Sequence, residues 1–309
     1  MSTVWPELPA YPAWRDTQAT LQLWTQIVGK IRLSQTPWLN HSWHVALYVT
    51  SRGLTTSPVP HGDRTFEIQF DFIAQQLIIN VSDGATRTFP LRPQAVADFY
   101  TEVMTALQEL NVPVRISEHP CEIPGAIRFT DDRIHQAYDH GPAQRFWQAL
   151  IQIDRVFKQF RTGFVGKASP VHFFWGSFDL AVTRFSGRRA PAFSGKVPGL
   201  NPRVMQEAYS HEVSSAGFWP GGGGIDYAAF YSYAYPTPAD FKNQPVKHGT
   251  FNETLGEFIL PYDDVRKASN PDAMLLEFLQ STYEAAAETA KWDRNELECP
   301  LGEPKEPRT

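Results

Sequence analysis

The stretch Pro170–Arg188, reading PVHFFWGSFDLAVTRFSGR, most narrowly limits what this chain can fold into. It threads His172, Trp175, Ser177, Asp179, Thr183 and Arg184 through Phe, Leu, Ala and Val. Burying a polar group costs free energy unless it finds a partner. A strand that only filled a core would not carry so many, so this stretch is expected to border a site. No cofactor fingerprint and no established catalytic motif occurs, and the sequence leaves any cofactor open.

The rest of the chain alternates helix and strand signals around it. After a proline-rich lead-in over residues 1–13, Asp16 or Thr17 is expected to cap a helix. Its stripe is Trp14, Leu21, Trp24, Val28 and Ile31, with Gln18, Gln22, Gln26 and Lys30 elsewhere. Trp43–Thr50 reads as a strand. Thr65–Ile73 alternates Phe66, Ile68, Phe70 and Phe72 against Glu67, Gln69 and Asp71, the pattern of an antiparallel strand with one wet face. A hairpin turns at Asp83-Gly84, and Pro93 opens a second helix. A third helix is expected over residues 143–164, with a stripe of Phe146, Leu150, Ile153, Phe157, Phe160 and Phe164. A loop follows over residues 189–203. Strands are expected on both sides of Gly221–Gly224 and again at EFILPY. Asn270 and Pro271 begin the last main helix.

This order predicts an α+β fold with antiparallel sheets covered by about four main helices. The expected division is a first α+β half at 14–115, connecting loops at 116–142, a second half at 143–292 and a tail at 293–309, the halves forming one compact unit. Helix, strands and helix recur in both halves. His44 precedes Thr55 by the same eleven positions that separate His172 from Thr183. An internal duplication predicts the same strand order in both sheets, with His44 and His172 facing one cleft.

Composition narrows the partners. The chain is 13% aromatic and holds nine Trp, which favours a thick core, a ligand cleft, or both. A net charge of −5 argues against nucleic acid, which is bound through Lys and Arg. No apolar run is long enough to span a membrane, and the N-terminus has no signal-peptide pattern. Cys121 and Cys299 lie far apart, which speaks against a structural disulfide and fits a reducing cytoplasm.

Several groups of residues are candidates for chemistry. His44, His172, His211 and Glu212 begin strands and carry ligand types suited to zinc, manganese or iron, although no HExxH-type pair is present. As a base, His172 or His211 would be oriented by Glu212 or Asp179. Ser177, His172 and Asp179 contain the residue types of a nucleophilic triad but lack the GxSxG elbow. Arg184 is expected either to form a buried bridge with Asp179 or to hold an anion together with Lys30, Arg32 or Arg188. Trp219, beside the glycines, suits an aromatic flap over a ligand.

At WHVALYVTSRGLTTSPVP, SPVHFFWGSFDLAVTRFSGR and YSHEVSSAGFWPG the chain resembles a bacterial family of uncharacterised proteins, from about Trp5 to Trp292. The resemblance implies a single family unit and no particular activity. The residues themselves predict recognition of a small polar or anionic molecule in an aromatic cleft with His44, His172, Trp175, Asp179, Arg184, His211, Glu212 and Trp219. Hydrolase- or isomerase-type catalysis with a His base, metal-assisted or not, is one alternative, and a protein-interaction scaffold is another.

Overall fold

A computed structural model describes residues 4–303 and 305–306. Helix α1 (Tyr11–Gln35) starts ahead of the expected cap, with a proline in its first turn. Its apolar stripe is buried as expected, but so are Gln18, Gln26, Lys30 and Arg32. The polar side of this helix therefore faces protein rather than solvent.

The first sheet comprises β1 (Tyr48–Val49), β2 (Gly53–Thr55), β3 (Val59–His61), β4 (Arg64–Asp71), β5 (Gln76–Val81) and β6 (Thr86–Pro90). All neighbours are antiparallel, in the order β1-β2-β4-β5-β6, with β3 also on β4. The alternation on β4 buries Phe66, Ile68 and Phe70. Asp71, expected on a wet face, is buried as well. It pairs with Arg52 at 2.5 Å and accepts the backbone amides of Ile73 and Ala74 in the turn that follows. Helices α2 (Val96–Glu109) and α3 (His140–Thr162) come next. Asp139 caps α3 by accepting from the Gly141 amide.

The second sheet holds β7 (His172–Phe174), β8 (Asp179–Arg189), β9 (His211–Trp219), β10 (Ala229–Tyr235), β11 (Thr250–Asn252) and β12 (Glu257–Pro261). A short helix missing from the sequence reading, α4 (Pro202–Ala208), lies between β8 and β9. Helices α5 (Tyr262–Lys267), α6 (Pro271–Thr289) and α7 (Arg294–Leu297) close the chain. The Asn270 side chain caps α6 on the Ala273 amide, as its sequence suggested. The expected tail bonds back to the chain after α3: the Val165 amide donates to the Leu297 carbonyl and the Cys299 amide to the Gly163 carbonyl.

The strand order of the second sheet is β11-β12-β10-β9-β8-β7. The two sheets thus differ, and the repeat expected from the sequence is not met at this level. In the first sheet, neighbours follow chain order except that β2 and β3 both pair with β4. In the second, buried Phe258–Leu260 takes the place beside β10, and the shorter, more exposed β11 is left at the edge. The sheets meet where Leu47 and Phe173 exchange backbone hydrogen bonds of 2.9 and 2.8 Å. One continuous hydrophobic core runs through both halves.

Candidate ligand-binding cleft

Successive residues of a strand point to opposite faces, and β8 shows why this decides the site. Leu180, Val182 and Arg184 turn toward the core, while Asp179, Ala181, Thr183 and Phe185 line an open cleft. Strand register carries the division across the sheet. Ala181 lies opposite Gly217, Gly217 opposite Tyr231, and Tyr231 opposite Ile259. The core face carries Phe173, Phe218 and Phe230, against which the α3 residues Phe146 and Phe157 pack. The cleft face carries His172, Phe174, Ser215, Trp219, Tyr231, Tyr233 and Glu257. Opposite stand Gln18 and Gln22 of α1, the His41–Trp43 turn, Cys121–Pro124 and α4. The cleft has a volume of about 790 Å³, within the range of small-molecule sites.

Three carboxyl groups line it: Glu122, Asp179 and Glu257. Asp179 is buried, and its two oxygens accept hydrogen bonds from the Ser177 and Tyr231 hydroxyls. Tyr231 reaches across the sheet only because residue 217 is glycine. A Cβ there would stand 2.2 Å from the Tyr231 hydroxyl oxygen. Glu122 has left-handed backbone (φ 63°), its amide bonded to the Pro198 carbonyl at 2.7 Å. Its carboxylate lies against Gly176, where a Cβ would come within 1.8 Å of Oε1. Non-glycine residues in this region of backbone space are strained and collect at functional sites. His41 (φ 59°) and Ser42 (φ 57°) border the same cleft.

The electrostatics of this cluster are unusual for a surface of ordinary polarity. Burial first, then the charge of Asp179, pushes Glu122 up to about 7, with Lys30 opposing. The same two causes raise Glu257 to about 7. Burial also raises Asp179, against its two hydroxyl donors. Among the described residues no Lys or Arg side chain lines the cleft. His172 is 1% exposed, its Nδ1 has no hydrogen-bond partner, and burial pushes it down to about 3. His41 is also lowered by burial and by Lys167, whose Nζ stands 2.6 Å from His41 Nε2. Both imidazoles are therefore neutral at pH 7. A base as weak as His172 removes protons poorly at that pH, against the role expected for it as general base.

The structure separates the other residues expected to act together. Trp175, Asp179, Trp219 and His172 line the cleft. Arg184 does not pair with Asp179, because residues five apart on a strand lie on opposite faces. Its guanidinium stacks at 3.6 Å from the Phe160 ring and 4.4 Å from Tyr283, and donates to the Phe160 carbonyl. Arg32 donates to the carbonyls of His44 and Thr56. Lys30 stands 5.8 Å from the Trp175 ring and is not part of the wall. His44 bonds within its own loop to Leu39 and is not the counterpart of His172. Glu212 is held by Arg188 at 2.7 Å and faces a separate groove beside Trp292. His211, its neighbour on β9, points to the other side, its ring centroid 6.2 Å from that of His41. The expected metal set of His44, His172, His211 and Glu212 is thus dispersed, and no group of three or more His, Cys, Asp or Glu suited to a metal occurs among the described residues. Nor does a triad form, since Ser177 donates to Asp179 rather than to His172.

Glu122, Glu257, His41, Tyr231 and Gln22 are additions that the sequence reading did not place in the site. The clearest available signal was the run Gln18, Gln22, Gln26, Lys30, polar groups four apart on a helix with a strong apolar stripe. Gln22 donates to the Gly176 carbonyl at 2.6 Å, and Gln26 pairs with both backbone groups of Cys121, fixing the loop that presents Glu122.

An open aromatic cleft on one face of an antiparallel sheet, with α3 packed on the other, places this chain among α+β proteins. It belongs to the family of unknown function DUF5996, whose model matches residues 5–299. No curated protein and no solved structure matches it. No helix among the described residues is long and apolar enough to cross a membrane.

Proposed function

We propose that this protein binds a small polar molecule in the cleft on β7–β10 and β12. One observation carries the reading: three carboxyl groups, a buried unpartnered imidazole and a set of aromatic rings face a single space of about 790 Å³. Concave aromatic sites with a few convergent polar groups are the default ligand sites of proteins. A concave space of this volume favours a ligand over a protein partner, which would use a flatter patch. The lining favours polar over anionic ligands, because carboxylates repel an anion and no cationic side chain of the wall offsets them.

Melting curves in the presence of a fractionated small-molecule extract of bacterial cells test this. A ligand that binds only the folded state raises its stability. One or more fractions should raise the Tm of the wild type but not of Asp179→Asn or Trp175→Ala. Fractions that shift all three proteins alike, or none, would sink the reading.

A second reading, acid–base catalysis, is favoured by Glu122 and Glu257 both standing at about 7 in one cleft. Groups near the working pH make the most effective general acids and bases. Turnover of the stabilising fraction would then follow binding.

A further inference from the structure

The cleft has a chemical bias that narrows its ligand. Asp179 accepts hydrogen bonds from neutral groups, the hydroxyls of Ser177 and Tyr231 and its own backbone amide. The two other carboxyl groups of the lining feel its charge, and no ion pair to Glu122, Asp179 or Glu257 occurs among the described residues. Buried carboxylates ordinarily find a cation or give up their charge. Aromatic rings line the same space. Trp219 lies 5.3 Å from Tyr231, and Tyr231 stacks 6.1 Å from Tyr233. Aromatic faces attract cations, most strongly when the charge is desolvated. The imidazoles of His41 and His172 are held neutral and do not compete for the acids.

We infer that the ligand is an organic cation, an ammonium group on a small polar body, its charge set against Glu122, Asp179 and Glu257 and its carbon skeleton against the rings of Trp175, Trp219 and Tyr231. This rests on the cleft being the ligand site.

The test compares probes of matched shape and different charge on the full-length protein, by calorimetry and melting at pH 7.5 and low salt. Choline is set against its uncharged carbon isostere 3,3-dimethyl-1-butanol, and 1,4-diaminobutane against 1,4-butanediol. Maltose stands for neutral sugars and tricarballylate for anions. At least one cation should bind tenfold or more tighter than its neutral partner. That preference should be lost in Glu257→Gln and Asp179→Asn and kept in Glu212→Gln, whose carboxylate faces the other groove. Should Asp179→Asn fail to fold, Glu257→Gln carries the comparison. Neutral isosteres or maltose binding as well as the cations would overturn the cationic class and leave the cleft as the ligand site. Tight tricarballylate binding abolished by Trp175→Ala would do the same. If no probe binds, the cationic class is overturned, while the extract experiment still decides the cleft.

Discussion

Arg184→Ala is expected to destabilise the protein by about 3–5 kcal/mol, the cost of emptying a large site in a packed core. The side chain is 1% exposed and lies between the rings of Phe160, Tyr283 and Phe164. Its guanidinium donates to the Phe160 carbonyl in the last turn of α3, where helix carbonyls lack partners and a cation suits the dipole. Yet Arg184 Nε and Nη1 have no hydrogen-bond partner, and burial pushes this guanidinium down to about 10. The carboxylates whose charge it feels, Glu284 and Glu298, are bonded to Arg294. Packing therefore dominates, and Arg184→Met, which keeps most of the volume without a charge, should cost under about 1.5 kcal/mol. The sequence suggested a buried bridge to Asp179, which predicts a similar loss on Arg184→Ala for a different reason. A double-mutant cycle with Asp179→Asn separates the two. The opposite faces of β8 predict additivity to within about 0.5 kcal/mol; a coupling of several times that would restore the bridge.

Gly217→Ala should cost about 2–4 kcal/mol, through overpacking and the loss of a buried hydrogen bond. The added methyl would sit 2.2 Å from the Tyr231 hydroxyl oxygen and 2.3 Å from the ring carbon that bears it. The ring must swing off the sheet, and Asp179 then loses one of its two hydroxyl donors. Tyr231→Phe removes the same bond but keeps the ring in place, so it should cost less, about 1–3 kcal/mol. In a Tyr231→Ala background the added methyl has nothing to displace, and Gly217→Ala should become nearly neutral. Urea melts of the four proteins measure this. A Gly217→Ala cost unchanged by Tyr231→Ala would mean that the strain lies elsewhere.

Much of the fold was legible because the signals were local. The alternation of Thr65–Ile73, the phenylalanine stripe of α3 and the Asn270-Pro271 start of α6 each depend on residues a turn or a strand apart, and each is where the sequence placed it. The stretch Pro170–Arg188 was expected to border a site, and its His172, Trp175 and Asp179 line the cleft. What was not legible was register. Asp179 and Arg184 look like neighbours in the sequence, but the pleat sets them on opposite faces of β8. Likewise His211 and Glu212 are adjacent yet part company. Glu257 enters the cleft only because β12, not β11, pairs with β10. Glu122 lies in a loop whose course is set by a distant amide, Gln26, and no spacing in the chain reports that contact. The expected duplication failed for a similar reason: element order is visible in one dimension, strand order is not.

Glu122, Asp179 and Glu257 share one cleft whose wall, among the described residues, holds no cationic side chain, and only Glu122 feels the opposing charge of Lys30 behind it. Carbon-13 NMR of the glutamate carboxyl carbons, followed over a pH titration, tests it most directly. Two resonances should titrate near pH 7, where Glu122 and Glu257 stand. One should vanish in Glu122→Gln and the other in Glu257→Gln. Both midpoints should fall in Asp179→Asn, since the charge of Asp179 is the second cause of each shift. If every glutamate instead titrates near the ordinary value of about 4.3, the cluster is solvated or separately neutralised, and the account of the cleft is wrong.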